Sequence, residues 1–305
     1  GSAEIKLAWG RFQRRIGDHR KAEVSLRQSI ARNASVSAWL ELSSLYLADL
    51  KKPDAAIDAG KNAVALAPDS ATAHYTLGMS LAAAGKVDQA MREFETTGKL
   101  EPTDPAPWHA IARLHAEKHR FADAARNLDR ALQLQPNNPV LLADRGDIAM
   151  AQNQAADASR FFQKAVQQFP DSAALRSKLG LIHQLGGKKA AAEAEYLKAV
   201  KLNPDLADVY NNLAWLVSDT PSRRAQAVKW AEKANALAPD NPVYLDTLGW
   251  LHHLSGNDAR ALPLLRRASA MTPALPDAHY HLGNLLEARG NRAEAAAAYQ
   301  RALEI

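Results

Sequence analysis

Residues 173–206 read AALRSKLGLIHQLGGKKAAAEAEYLKAVKLNPDL, and they set Leu179-Gly180, Ala192, Tyr196, Ala199 and Pro204 in a fixed order. The same order recurs along the chain. Prolines stand at Pro68, Pro102, Pro136, Pro170 and Pro204, each 34 residues after the last, then at Pro239 and Pro273 after steps of 35 and 34. Ala90, Ala124, Ala158, Ala192, Ala227, Ala261 and Ala295 run in phase with them. A period of this length signals stacked repeats, each burying its apolar face on its neighbours. Such a chain offers a long surface for contact rather than a single enclosed core.

The units can be laid side by side. From Ala71 come Leu77-Gly78, Ala90, Phe94 and Pro102; from Pro105 come Trp108, Ala124, Leu128, Ala131 and Pro136. From Pro139 come Gly146, Ala158, Phe162, Ala165 and Pro170; from Pro242 come Leu248-Gly249, Ala261, Leu265, Ala268 and Pro273. Pro276 opens a last unit with Leu282-Gly283, Ala295, Tyr299 and Ala302. Two units are looser. One, from about Val36, has Trp39, Leu42 and Tyr46 with an extra residue near Lys51-Lys52-Pro53. The other, from Ala207, has an extra residue around Ser218–Arg224. Trp9-Gly10, Gly17, Ala22 and Leu26 mark a first unit without a closing Pro.

Each repeated position has a physical reason. Small residues at Gly78, Gly146, Gly180, Gly249 and Gly283 are expected to let the first helix of a unit approach the second against the Ala comb, while Phe94, Phe162, Tyr196 and Tyr299 plug the groove to the next unit. Gly17, Gly85, Gly187, Gly256 and Gly290, with Asn153, fall where the first helix should end in a left-handed residue. Each Pro lies past the second helix, which it cannot continue. Asp69, Asp104, Asn138, Asp171, Asp205 and Asn241 stand at or beside the next N-cap.

This pattern, W-x2-L-G-x2-Y then A-x3-F, A and P over 34 residues, resembles the tetratricopeptide repeat (TPR) family over essentially the whole chain. The resemblance implies an all-α TPR solenoid, a right-handed superhelix of about nine helix-turn-helix repeats. The expected array runs over 3–305, with units at about 3–35, 36–70, 71–104, 105–138, 139–172, 173–206, 207–241, 242–275 and 276–305, the last cut short. Gly1-Ser2 reads as an expression scar, which leaves the natural start and any targeting signal or membrane anchor outside the sequence.

Composition narrows the function classes. Apolar residues make up 47% of the 305, which argues against disorder. Zero Cys excludes disulfides and thiolate metal sites. No apolar run reaches the length of a membrane span. The net charge of +5 is scattered over Arg14-Arg15, Lys188-Lys189, Arg223-Arg224 and Arg266-Arg267, which read as solvated faces and form no nucleic-acid stripe. His115 and His119 are spaced i, i+4, but Glu117 between them is out of register for a zinc-protease helix, and His115 stands where the family places a packed aromatic. His252-His253 point about 100° apart on a helix and make poor ligand partners. Neither a phosphate-binding loop, a Gly-x-Ser-x-Gly turn nor a dinucleotide fingerprint is present. The expectation is a non-enzyme without cofactor or metal.

Function is then expected on the concave surface, which in this family is lined by places 2, 5, 6, 9, 12 and 13 of each unit. The richest stretch holds Asn211, Asn212, Trp215, Asp246, Trp250, Tyr280, His281 and Asn284. A second holds Tyr75, Met79, His109, Arg113, Asp144 and Asp147. Aromatics interleaved with amides and carboxylates are the composition of a binding hot spot. The other reading is that Trp215 and Trp250 fill the seam between successive first helices. Trp39 and Trp108, at the family's core place 4, read as structural. No unit pairs Lys at place 5 with Asn at place 9, the signature of the clamps that grip chaperone tails.

Tyr210-Asn-Asn-Leu-Ala-Trp-Leu, the Ser218–Arg224 loop and Leu245-Asp-Thr-Leu-Gly-Trp250 resemble the C-terminal arrays of bacterial exosortase-linked (PEP-CTERM system) TPR lipoproteins. That resemblance implies a periplasmic or outer-membrane-anchored scaffold in exopolysaccharide assembly or export. The partner would be a protein segment in the groove. The alternatives are a polysaccharide stacked on Trp215, Trp250 and Tyr280, or a cytoplasmic adaptor role. The unfinished last unit is expected to have its seam, with Tyr299 and Leu303, covered by another molecule, as in end-to-end self-association, or by residues of a longer parent chain.

Overall fold

The structure, a computed structural model, describes residues 2–272 and 275–305. Pro273, one tooth of the proline comb, lies outside the described residues. The chain divides into two compact units, Gly1–Gln154 and Ala155–Ile305. The N-terminal unit holds α1 (Ala3–Arg15), α2 (His19–Arg32), α3 (Val36–Ser44), α4 (Pro53–Leu66), α5 (Ala71–Ala83), α6 (Val87–Leu100), α7 (Ala106–Glu117), α8 (Phe121–Leu134) and α9 (Pro139–Ala151). The C-terminal unit holds α10 (Ala155–Gln168), α11 (Ala173–Leu185), α12 (Lys189–Leu202), α13 (Ala207–Leu216), α14 (Arg224–Leu237), α15 (Pro242–Leu254), α16 (Asp258–Met271), α17 (Pro276–Ala288) and α18 (Arg292–Glu304). Among the described residues there is no strand.

Helices alternate between a first member and a second. Paired helices pack on each other, as α5 does on α6 and α15 on α16, and some first helices also touch the next first helix, as α3 does α5 and α15 does α17. The local signals explain the breaks. Gly17, Gly85, Gly187, Gly256 and Gly290 all have positive φ at the turn between paired helices, and Asn153, just after α9, has φ 58°. Lys51 and His119 take the same conformation at φ 54° and 55° without glycine's freedom. Asn138 and Asn241 cap α9 and α15 by accepting from two backbone N–H groups each. At α5 and α11 the cap is Ser70 or Ser172, next to the Asp singled out in the sequence.

Packing changes one expectation. The glycines of the first helices face the large residue four places beyond the Ala comb rather than the Ala itself. A Cβ on Gly78 would meet the Phe94 ring at 2.7 Å, on Gly180 the Tyr196 ring at 2.5 Å, and on Gly249 the Leu265 side chain at 2.8 Å. Phe94, Tyr196 and Leu265 are fully buried, so they need that notch. The extra residue of the second repeat is also placed differently. It is absorbed inside the first helix as a π-turn over Leu45–Asp49, continuing α3, and not at Lys51-Lys52-Pro53. The extra residue of the seventh repeat does fall in its loop: α13 stops at Leu216 and a 3-10 turn over Pro221–Arg223 leads into α14.

The basic clusters are tied down more than expected. Arg223 makes a two-pronged contact with Glu193, at 2.7 and 2.6 Å, and Arg224 donates to the Leu254 carbonyl. Arg14 binds Asp49 at 2.5 Å and the Ser44 carbonyl. At the last pair of helices Tyr299 is half-buried, its hydroxyl donating to Glu287, while Leu303 is exposed.

Candidate binding grooves

In the N-terminal unit, α5, α7 and α9 each turn two of the sequence-chosen residues to one surface. Tyr75, Met79, His109 and Arg113 line a cavity of about 440 Å3, and Arg113, Asp144 and Asp147 line an adjoining one of about 300 Å3. The two share Arg113 and Glu117. Tyr75 lies against Phe94 with ring centroids 5.4 Å apart, and burial, with the nearby Asp104 carboxylate, pushes its phenol up. His109 Nε2 and Asp144 Oδ2 are 2.6 Å apart, which fixes both rotamers. Lys51 and Glu117 are groove residues that the sequence reading left out. Glu117 stands at place 13 of its unit, so the rule already in hand could have found it. Lys51 enters only because the π-turn ends the preceding helix there.

In the C-terminal unit the aromatic stretch forms a single cluster. His281 lies at its centre: its ring stacks on Trp250 at 4.3 Å and 17°, with Trp215 at 6.0 Å and Tyr280 at 5.8 Å. His281 Nδ1 stands 3.0 Å from both carboxylate oxygens of Asp246. Trp215 is 42% exposed and Tyr280 52%. Asp246, His281 and Asn211, expected to face a ligand, are instead buried at 5%, 4% and 7%. For Asp246 and His281 the reason is mutual satisfaction: a carboxylate and an imidazole that hydrogen-bond each other offset part of the cost of leaving water. Asn284 turns back to donate to the Tyr280 carbonyl at 3.0 Å, Asn212 is half-buried, and Asn211 Oδ1 finds no partner among the described residues. One face of Trp250 is used by His281, so it combines the two sequence readings, part seam and part surface.

The two structural tryptophans separate. Trp108 is 7% exposed, but Trp39 is only half-buried and lines a cavity of its own. The histidine pair also resolves. His119 lies beyond the end of α7 with positive φ, so it does not share a helix face with His115. Burial lowers the pKa of His115. Among the described residues no group of three or more His, Asp or Glu could hold a metal, and no helix is long and apolar enough to cross a membrane.

Residues 2–208 match the family model described as the cilia and flagella-associated protein 70 C-terminal domain, a TPR domain, and residues 276–305 match the tetratricopeptide repeat model itself. The chain belongs to this tetratricopeptide-repeat family. The ciliary part of that description is said of the protein after which the model is named. Comparison with curated proteins gave no match. Among solved structures, the C-terminal part of a TPR repeat-containing protein from Cytophaga hutchinsonii superposes with a TM-score of 0.65 at 14% identity, covering 79% of this chain and 99% of that one. PilF of Pseudomonas aeruginosa gives 0.60 at 17%, covering 72% and 97%. YrrB, described as a TPR protein with an unusual peptide-binding site, gives 0.54 at 17%, covering 62% and 97%. At these identities the likeness establishes the TPR fold alone.

Proposed function

We propose that this TPR chain is a non-catalytic scaffold that holds an extended segment of a partner protein on the outer face of its first helices. One observation carries the reading: six side chains from three successive first helices line two adjoining cavities in the N-terminal unit. Tyr75, Met79 and Phe94 give an apolar floor, while Arg113, Glu117 and Asp144 give polar rims of both signs. That combination suits a peptide with one apolar anchor and flanking polar groups. YrrB, of the same fold, supports a peptide ligand by its description.

The test is selection of binding peptides from a random library on the intact chain, followed by titration of the best one. Tyr75→Ala and Arg113→Ala should each weaken it by about 2 kcal/mol, the scale of a hot-spot residue. Trp215→Ala should have a similar effect only on peptides that engage the C-terminal cluster. Unchanged affinity in Tyr75→Ala/Arg113→Ala for every selected peptide defeats the groove assignment.

The bacterial exopolysaccharide setting, with a periplasmic or outer-membrane-anchored location, belongs to the same proposal and rests on the wording of residues 210–250. Fractionation of cells that make the full-length protein tests the location. A polysaccharide on Trp215 and Tyr280 is the competing ligand. Internal bonding of Asp246 and Asn284 removes two of the hydroxyl partners that reading relied on. End-to-end association through Leu303 is read from the concentration dependence of sedimentation.

A further inference from the structure

Trp39 and Trp108 occupy the same place in the second and fourth repeats, yet their surroundings differ on both faces. Under Trp108 lies Gly98 of α6, where a Cβ would come within 2.4 Å of the indole ζ2 carbon. Above it, the Arg130 guanidinium of α8 stands 3.4 Å from the ring centroid. The indole thus meets both a glycine notch and a cation. Aligning α2 with α6 and α4 with α8, each fourteen residues long, puts Ile30 where Gly98 is and Asn62 where Arg130 is. Ile30 carries a side chain where Gly98 has none, and beside it Trp39 is half-buried and shares a cavity wall with it. Asn62 is too short to cover the ring, and its amide donates instead to the Asp58 carbonyl at 2.8 Å. Among the described residues no cation lies over Trp39.

What remains is an open cavity of about 400 Å3 with Trp39, Tyr46 and Asp58 in its wall. Arg27 also lines it, but that charge is already matched. Its guanidinium donates to the Tyr46 hydroxyl at 3.0 and 2.7 Å and lies 3.1 Å from Glu23. Asp58 is exposed, and among the described residues its carboxylate makes no ion pair. At the aligned position of α8 the residue is Arg126, so the acidic group belongs to this cavity in particular.

We propose that the Trp39 cavity takes an arginine side chain of a partner polypeptide, its guanidinium over the indole and against Asp58, in the place that Arg130 fills over Trp108. The chain carries its own example of the occupied state. Aromatic faces attract guanidinium groups through the ring quadrupole, and a neighbouring carboxylate adds to the pull. This site is built from α2, α3 and α4 of the first two repeats and is separate from the groove of Tyr75 and Arg113.

The experiment uses the full chain labelled with 15N, in which the Trp39 indole N–H signal is assigned by its loss in Trp39→Phe. Acetyl-Gly-Arg-Gly-amide is titrated against the same tripeptide with citrulline, which keeps the shape and removes the charge. The arginine peptide should shift the Trp39 signal and leave that of Trp108 in place, and citrulline should leave both. Asp58→Asn should weaken binding about fivefold, the scale of one exposed charge contact. Asn62→Arg, at an exposed position that folding tolerates, should fill the cavity itself, abolish the peptide shift and protect Trp39 from acrylamide. Arg113→Ala should change nothing, which separates this site from the groove. Equal response to citrulline, no response to either peptide, or an Asn62→Arg chain that binds as the parent does overturns the proposal.

Discussion

Gly98→Ala tests whether the glycine notch beneath Trp108 is what lets the indole sink. A methyl group there would lie 2.4 Å from the ring, against about 3.4 Å for ordinary contact, so the ring must move by about 1 Å. Outward movement is opposed by Arg130, 3.4 Å above the centroid. Overpacking of this kind costs about 1–3 kcal/mol, and replacing Gly by Ala within a helix returns about 1 kcal/mol. The net loss should be about 0–2 kcal/mol, or a melting point lower by up to about 8 °C for a unit of this size. Thermal melts followed by circular dichroism give the loss, and indole emission reports whether the ring has moved toward water. In a Trp108→Leu background the sign should reverse: with no indole to collide with, Gly98→Ala becomes stabilising by about 1 kcal/mol. If Gly98→Ala raises the melting point in the parent chain and leaves the emission unchanged, the notch is not what seats Trp108. The comparison with Ile30 and Trp39 then loses its basis.

Two further outcomes follow from the backbone and the histidines. Lys51→Gly should stabilise the chain by about 1 kcal/mol, because Lys51 holds φ 54° where a side chain is penalised. His119→Gly should gain less, since it also loses the edge contact with Phe121 at 5.7 Å; chemical denaturation of both variants measures the difference. Burial lowers the pKa of His115, His183 and His252 from 6.5. A lowered folded pKa means the unfolded chain takes up protons first as pH falls. Their contribution is therefore complete above about pH 6.5 and declines below it. Melting points taken from pH 7.5 to 5 should fall, and replacing the three by Gln should flatten that slope; an unchanged slope refutes the assignment.

The parts of the fold that were legible are those that impose a local backbone requirement. Gly17, Gly85, Gly187, Gly256 and Gly290 mark turns because a left-handed residue is needed there whatever packs nearby. Lys51 and His119 meet the same requirement with residue types that carry no such signal, so only the period could have located them. The π-turn over Leu45–Asp49 escaped for a related reason: an inserted residue announces itself in the spacing, but where the helix absorbs it depends on the packing of Leu45 and Tyr46. The notch glycines were recognised, but their partner was misassigned. Opposing Ala and aromatic residues lie on the same face of the second helix, and only contact distances distinguish them.

The candidate binding surfaces were less legible because place 5 and place 6 of the repeat can serve two purposes. His109 at place 5 reaches Asp144 at place 6 of the next repeat, and Asp246 at place 5 reaches His281 at place 6 of the next, 35 residues on in both cases. The same seam accepts an imidazole and a carboxylate in either order, since the spacing of successive first helices sets the separation and the two groups are complementary whichever side each comes from. Where the pair stays at the rim, as at His109 and Asp144, it fixes the wall of an open cavity. Where a tryptophan stacks over it, as Trp250 does on His281, the pair is drawn under cover and hands the outward role to Trp215 and Tyr280. The ninth-place neighbour thus bears on which charged residues stay at the surface. That choice is made across two repeats, so reading each unit by itself could not reveal it.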